Sequence, residues 1–192
     1  MSQNTTNGQA RQVSAIDRGT LDVKALVLLA VLLAAGFILN MFVGKAIGAA
    51  TGNMIQPEFI ISAFCLTILI VHPNIGQALI IGLVSAAVIQ FTTSSPFIDF
   101  AAEGIAAMVM AAIVNATAKG ANAKYVPVAG TFVTTALSGI IFMLIKMVLS
   151  GAEAVMPLLT GMLPVVLLTA VFNAILVGAL YVPIKKAMKL ED

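Results

Sequence analysis

Six apolar runs divide this chain: 24–43, 57–71, 75–91, 97–118, 125–149 and 162–182. A helix needs roughly 20 apolar residues to cross the hydrocarbon core of a bilayer. Four runs reach or approach that length, while the second and third fall short and are parted only by His72, Pro73 and Asn74. Joined, those two are too long for one helix in a bilayer of ordinary thickness. The pattern therefore predicts two short helices and a tight turn, and an all-α membrane protein built as a six-transmembrane-helix bundle. Residues 1–22 are polar and predict a disordered cytoplasmic tail; 23–184 form the membrane domain, and 185–192 a cytoplasmic C-terminal tail.

Composition points to the same solvent. Of 192 residues, 60% are hydrophobic and 9% charged, with a mean hydropathy of +1.08. An ordinary soluble domain is about 25% charged, so this chain cannot cover its own surface in water. The net charge of +2 and the lack of a basic stripe with interleaved aromatics argue against a nucleic-acid partner. A secretory signal places its apolar stretch directly behind a basic start; the polar opening of this chain does not read that way. The lone Cys65 lies in an apolar run, which excludes a disulfide framework.

Orientation follows from the basic residues. With both termini inside, Arg11, Arg18, Lys24, Lys119, Lys124, Lys185, Lys186 and Lys189 are all cytoplasmic. Lys45 and Lys146 alone fall at or near the outer side. The positive-inside rule favours that arrangement. Inner connections are then short, whereas the outer ones, 44–56, 92–96 and 150–161, are longer and rich in Gly, Ser and Thr. Loops of that kind have room to cover a ligand.

An ionisable group inside a membrane costs at least about 2.5–3.5 kcal/mol on insertion scales, so each one needs a reason. Asn40, Glu58, Gln90, Asp99, Glu103 and Lys146 all fall in the outer half in this orientation, with Asn173 near the middle of the last run. That distribution describes a cup open to the outside rather than a pore. Each residue also has a plainer reading. Glu58 follows Pro57 as a first-turn acid would, in favour with the helix dipole. Asp99 sits one turn past Ser95-Pro96 and reads equally as a dipole acid or a ligand contact. Glu103 lies one turn deeper on the same face, where two acids repel unless a cation or proton lies between them. Lys146 could snorkel outward, pair with Asp99 or Glu103, or hold a substrate carboxylate. Gln90, Thr92 and Thr93 could cap the third run or bind a ligand. Phe59, Phe91, Phe97 and Phe100 could form a membrane belt or an inward aromatic wall. Ala30 and Ala34 carry small-xxx-small spacing, which suits internal packing or docking to a separate membrane subunit.

No GxxxxGK[ST] phosphate loop occurs, and His72 is the only histidine. ATP hydrolysis by that route, a histidine metal cluster and a Ser/His hydrolase are therefore not expected, nor is any cofactor. The chain does not read as an enzyme.

The stretch Met54-Ile55-Gln56-Pro57-Glu58-Phe59, then His72-Pro73-Asn74, Gln77-Ala78-Leu79, Gln90-Phe91-Thr92-Thr93 and Ile98-Asp99, resembles the tryptophan transporter TrpP-like family. Those proteins resemble substrate-binding S-components of energy-coupling factor (ECF) transporters. The motif match covers about residues 52–100; size and the six-helix pattern extend over the whole chain. The resemblance implies a bacterial cell-membrane subunit that captures tryptophan or a related small aromatic at the outer face. It implies docking onto a membrane scaffold subunit driven by two cytoplasmic ATPases, with Ala30 and Ala34 meeting the scaffold and the S-component toppling to carry substrate inward. The implied site joins Asp99 or Glu103 for an ammonium, Thr92 and Thr93 for a carboxylate, and phenylalanines for a ring. The chain departs from the family pattern at Ser94-Ser95-Pro96-Phe97-Ile98-Asp99-Phe100, where Phe100 replaces a lysine. An aromatic vitamin suits the same chemistry. A stand-alone carrier would need polar residues through the inner half, and a ligand-free assembly protein would leave Asp99 and Glu103 without a purpose.

Overall fold

The computed structural model describes residue 19 and residues 21–93, 95–117 and 123–189. The expectations for Arg11, Arg18 and most of the N-terminal tail, for Ser94, for Lys119 and for residues 190–192 lie outside those residues. Among the described residues the chain forms six main helices: α1 (Val23–Ala50), α2 (Phe59–Val71), α3 (Ile75–Ile89), α4 (Ile98–Thr117), α5 (Val126–Ser150) and α6 (Val155–Ala187). Of these, α1, α4, α5 and α6 are long and apolar enough to cross a membrane, and α2 and α3 are shorter apolar helices. The chain is an all-α, multi-pass membrane protein.

Local chemistry sets the ends. The Asp22 carboxylate accepts the Ala25 N–H at 2.7 Å and starts α1. His72 takes a left-handed conformation (φ 53°) and stops α2. Asn74 and Gln77 then form a reciprocal capping box that starts α3, with bonds of 2.9 and 3.0 Å. The run 57–91 is thus two helices, broken where a stop signal meets a start signal.

Two helices outrun their apolar runs. α1 continues to Ala50 through a wide π turn at Asn40–Gly44, although 44–56 reads as loop. Its Gly44 and Gly48 do not break the helix; they let it lie against the following loop, where an added Cβ would sit 3.4 Å from the Pro57 carbonyl and 3.2 Å from Asn53 Oδ1. α6 begins at Val155 rather than 162, absorbing Gly161 and Pro164. A helical glycine costs only about 1 kcal/mol, which the apolar setting offsets.

α2 is the axis of the bundle: all thirteen of its residues are buried, and it packs on each of the other five helices. Small residues bring the outer helices close. An added Cβ at Gly82 would lie 2.6 Å from the Glu103 carbonyl, so α3 and α4 cross almost backbone to backbone. At Gly139 the room left by the missing Cβ is taken by the Val166 side chain of α6. At the His72 end, Ala25, Leu28, Ile70 and Val71 form a closed apolar cluster. Leu21 and Met188 both pack against it, so the described chain begins and ends at the same end of the bundle.

Candidate functional site: a polar cup over α2

At the other end the helices leave a cavity of about 540 Å³ above the first turn of α2. All six main helices line it, α3 only through Ile89 at its end, together with the α1–α2 loop and the Thr92-Thr93 pair after α3. Three carboxylates face it: Glu58, Asp99 and Glu103.

Glu58 occupies the N-cap position of α2 but does not cap it. Asn40, at the start of the π turn, does so from α1: its Oδ1 accepts the Phe59 N–H at 2.9 Å and its Nδ2 donates to Glu58 Oε2 at 3.3 Å. A π turn placing a side chain at a site is a recurring arrangement. The same loop is pinned from α6. Thr169 Oγ1 donates to the Gln56 carbonyl at 3.0 Å, and Asn173 Nδ2 donates to the Glu58 carbonyl at 3.1 Å.

Asp99 is buried in the first turn of α4 and accepts from Gln90 Nε2 at 3.3 Å. Gln90 Oε1 in turn accepts the Phe97 N–H at 3.0 Å. Phe97 sits at φ 72°, an uncommon conformation for a bulky residue, and Gln90 holds that loop in place. Glu103 is 3% exposed; its Oε1 accepts from Ser138 Oγ at 2.9 Å, and its Oε2 has no partner. Among the described residues none of the three carboxylates meets a cation, and the side-chain hydrogen bonds they accept come from neutral groups. The Lys146 ammonium lies 5.7 Å from the centre of the Phe142 ring, and no ion pair to Asp99 or Glu103 forms.

The structure therefore gathers Glu58, Thr92, Thr93, Asp99, Glu103 and Lys146 around one cavity. Gln90 and Asn173 stand one step behind and hold the residues that line it. The aromatic wall is not formed. Phe59 is buried beneath the site, edge-on to Phe172 at 6.0 Å. Phe91 is 83% exposed and stacks edge-on with Phe37, and Phe97 is 78% exposed. Gln90 fixes the loop at Phe97; the aromatic ring that lines the cavity is Phe142. Ala30 and Ala34 are both exposed on α1.

Thr135, Ser138, Phe142 and Thr169 were not singled out by sequence reasoning. A signal for three of them exists on α5: Thr131, Thr135, Ser138, Phe142 and Lys146 recur every three or four residues, which puts them on one face. Among the described residues no group of three His, Cys, Asp or Glu is placed to hold a metal ion.

Fold and site together define a membrane-embedded helical bundle with a polar cup at one end and an apolar seal at the other. No family model, curated protein or solved structure matches the chain.

Proposed function

We propose that this chain is the substrate-binding subunit of a bacterial ECF-type uptake transporter, capturing tryptophan or a related small aromatic from outside the cell. The observation that carries the reading is a cup of about 540 Å³, within the range of about 300–1,000 Å³ usual for small-molecule sites. It is lined by acids and hydroxyls and stopped below by the buried α2. A stand-alone carrier needs a polar route out of the far end, where the apolar cluster around Ile70 and Val71 lies instead.

In this reading all six helices belong to the membrane domain, both termini are cytoplasmic by the positive-inside rule, and the cup opens outward. Acids take the ammonium of the ligand. Ring-sized apolar contact comes from Phe142, Met162 and Val165, which line the same cavity. The outward Ala30 and Ala34 on α1 are available to a membrane scaffold subunit, itself driven by two cytoplasmic ATPases.

The chain contains no Trp, so bound tryptophan reports on itself in a fluorescence titration of the purified protein. Saturable binding weakened by Asp99→Asn supports the proposal. A thermal shift with an aromatic vitamin but not with tryptophan moves the substrate and keeps the class. No response to either class of ligand returns the chain to an assembly role.

A further inference from the structure

Five charged residues line the cup: Glu58, Asp99 and Glu103, with Lys45 and Lys146. The two signs are served differently. Each carboxylate accepts a side-chain hydrogen bond from a neutral neighbour, Asn40, Gln90 or Ser138 respectively. Among the described residues neither ammonium has a hydrogen bond or an ion pair. Lys45 is exposed, so water can serve its donors, whereas Lys146 is half-buried on α5. An ammonium carries three donors, and drawing one partly out of water with no acceptor to meet it is costly. The contact that Lys146 does make is with Phe142, one turn earlier on the same face, whose ring centre lies 5.7 Å from Nζ. Both side chains line the cavity, so a cation and an aromatic ring stand side by side there.

The hydroxyl pair after α3 is already engaged. Thr92 donates its single hydroxyl proton to the Ile89 carbonyl at 3.1 Å, and Thr93 Oγ1 accepts the Ser95 N–H at 3.2 Å. Both bonds tie the pair to its own turn. We infer that the ligand is anchored by a carboxylate seated on the Lys146 ammonium, with its ring beside Phe142, and that Thr92 and Thr93 do not hold that carboxylate. The ligand class is a small aromatic acid, aromatic amino acids included; an aromatic amine without the acid group is disfavoured. The inference rests on the reading of the cavity as a site for small aromatics. A doubly charged anion such as a phosphate monoester is disfavoured by the three carboxyl groups around the same cavity.

The test uses the purified full chain and three indole probes, which fluoresce against a chain without Trp: tryptophan, indole-3-propionate and tryptamine. Indole-3-propionate, which keeps the acid and lacks the amine, is expected to bind within about tenfold of tryptophan, and tryptamine about ten- to a hundredfold more weakly than indole-3-propionate. Lys146→Met keeps an unbranched side chain on an apolar helix. It is expected to weaken both acids by about ten- to a hundredfold and to leave tryptamine within about twofold, while Lys146→Arg, which keeps the charge, retains acid binding. The probe series on the unsubstituted chain decides the matter even where Lys146→Met fails to fold. Tryptamine binding as tightly as indole-3-propionate overturns this inference and leaves the small-aromatic reading in place. Indole-3-propionate binding without tryptophan upholds the inference and moves the substrate. Unchanged acid affinity in Lys146→Met overturns Lys146 as the seat, and binding of none of the three overturns both readings.

Discussion

At its His72 end, α2 is enclosed by Ala25, Leu28, Tyr181 and Ile184. At its Phe59 end, the same helix meets Asn40, Asn173 and a cavity lined with acids and hydroxyls. Both ends are buried. The closed end is built around an apolar cluster, with Asn115 Nδ2 donating to the Pro73 carbonyl at 2.9 Å and the Gly19 N–H to the Val71 carbonyl at 2.8 Å beside it. The cup end is held by directed hydrogen bonds that pin one loop from α1 and α6, and it retains polar atoms without protein partners, Glu103 Oε2 and Asn173 Oδ1 among them. In the proposed reading sealing and binding are separate tasks, assigned to opposite ends of the bundle.

Substitutions should respect that separation. The largest effect on stability is expected at the closed end: Ile70→Ala, at a residue 2% exposed, should cost about 2–5 kcal/mol while the folded fraction binds ligand unchanged. Unfolding in detergent followed by titration of the surviving protein checks both halves of that statement. Gly82→Val should cost about 1–3 kcal/mol by overpacking and also weaken binding, since it pushes on the backbone of Glu103. There packing and binding are expected to move together. Asn40→Ala removes the cap of α2 at about 0.5–2 kcal/mol, and its larger signature should be lost affinity as Glu58 and the loop before it are released. Gly161→Ala lies in open surroundings and should raise stability by no more than about 1 kcal/mol, with affinity unaltered. A closed-end substitution that changes ligand preference, or a cup substitution that changes only melting temperature, breaks the division.

Much of the division is legible along the chain. The stop at His72-Pro73 and the start at Asn74 mark the break between α2 and α3 by turn and capping chemistry alone. Glu58, Asp99, Glu103 and Lys146 come to one end because alternating helices return run ends to the same side. The reach of α1 and α6 is less legible, since Gly44, Gly48, Gly161 and Pro164 read as breakers until a neighbouring surface is there to pack against. The outward turn of Phe97 goes with a single backbone angle and a hydrogen bond from its N–H to Gln90 seven residues back. No periodicity encodes that. The hydroxyl face of α5 is written plainly in its spacing, but threonine and serine carry little weight beside acids in a sequence so apolar.

The length of α2 has a consequence of depth. Thirteen residues rise about 20 Å, against a hydrocarbon layer of about 30 Å. With its His72 end set at one interface, the helix would stop about 10 Å short of the other, and its missing turns would leave the well proposed to hold a ligand. In the proposed uptake reading, a molecule on the floor of that well would lie about a third of the way across the layer. The longer α1 and α6, 28 and 33 residues, then act as a palisade that keeps lipid tails out of a polar hollow below the membrane surface.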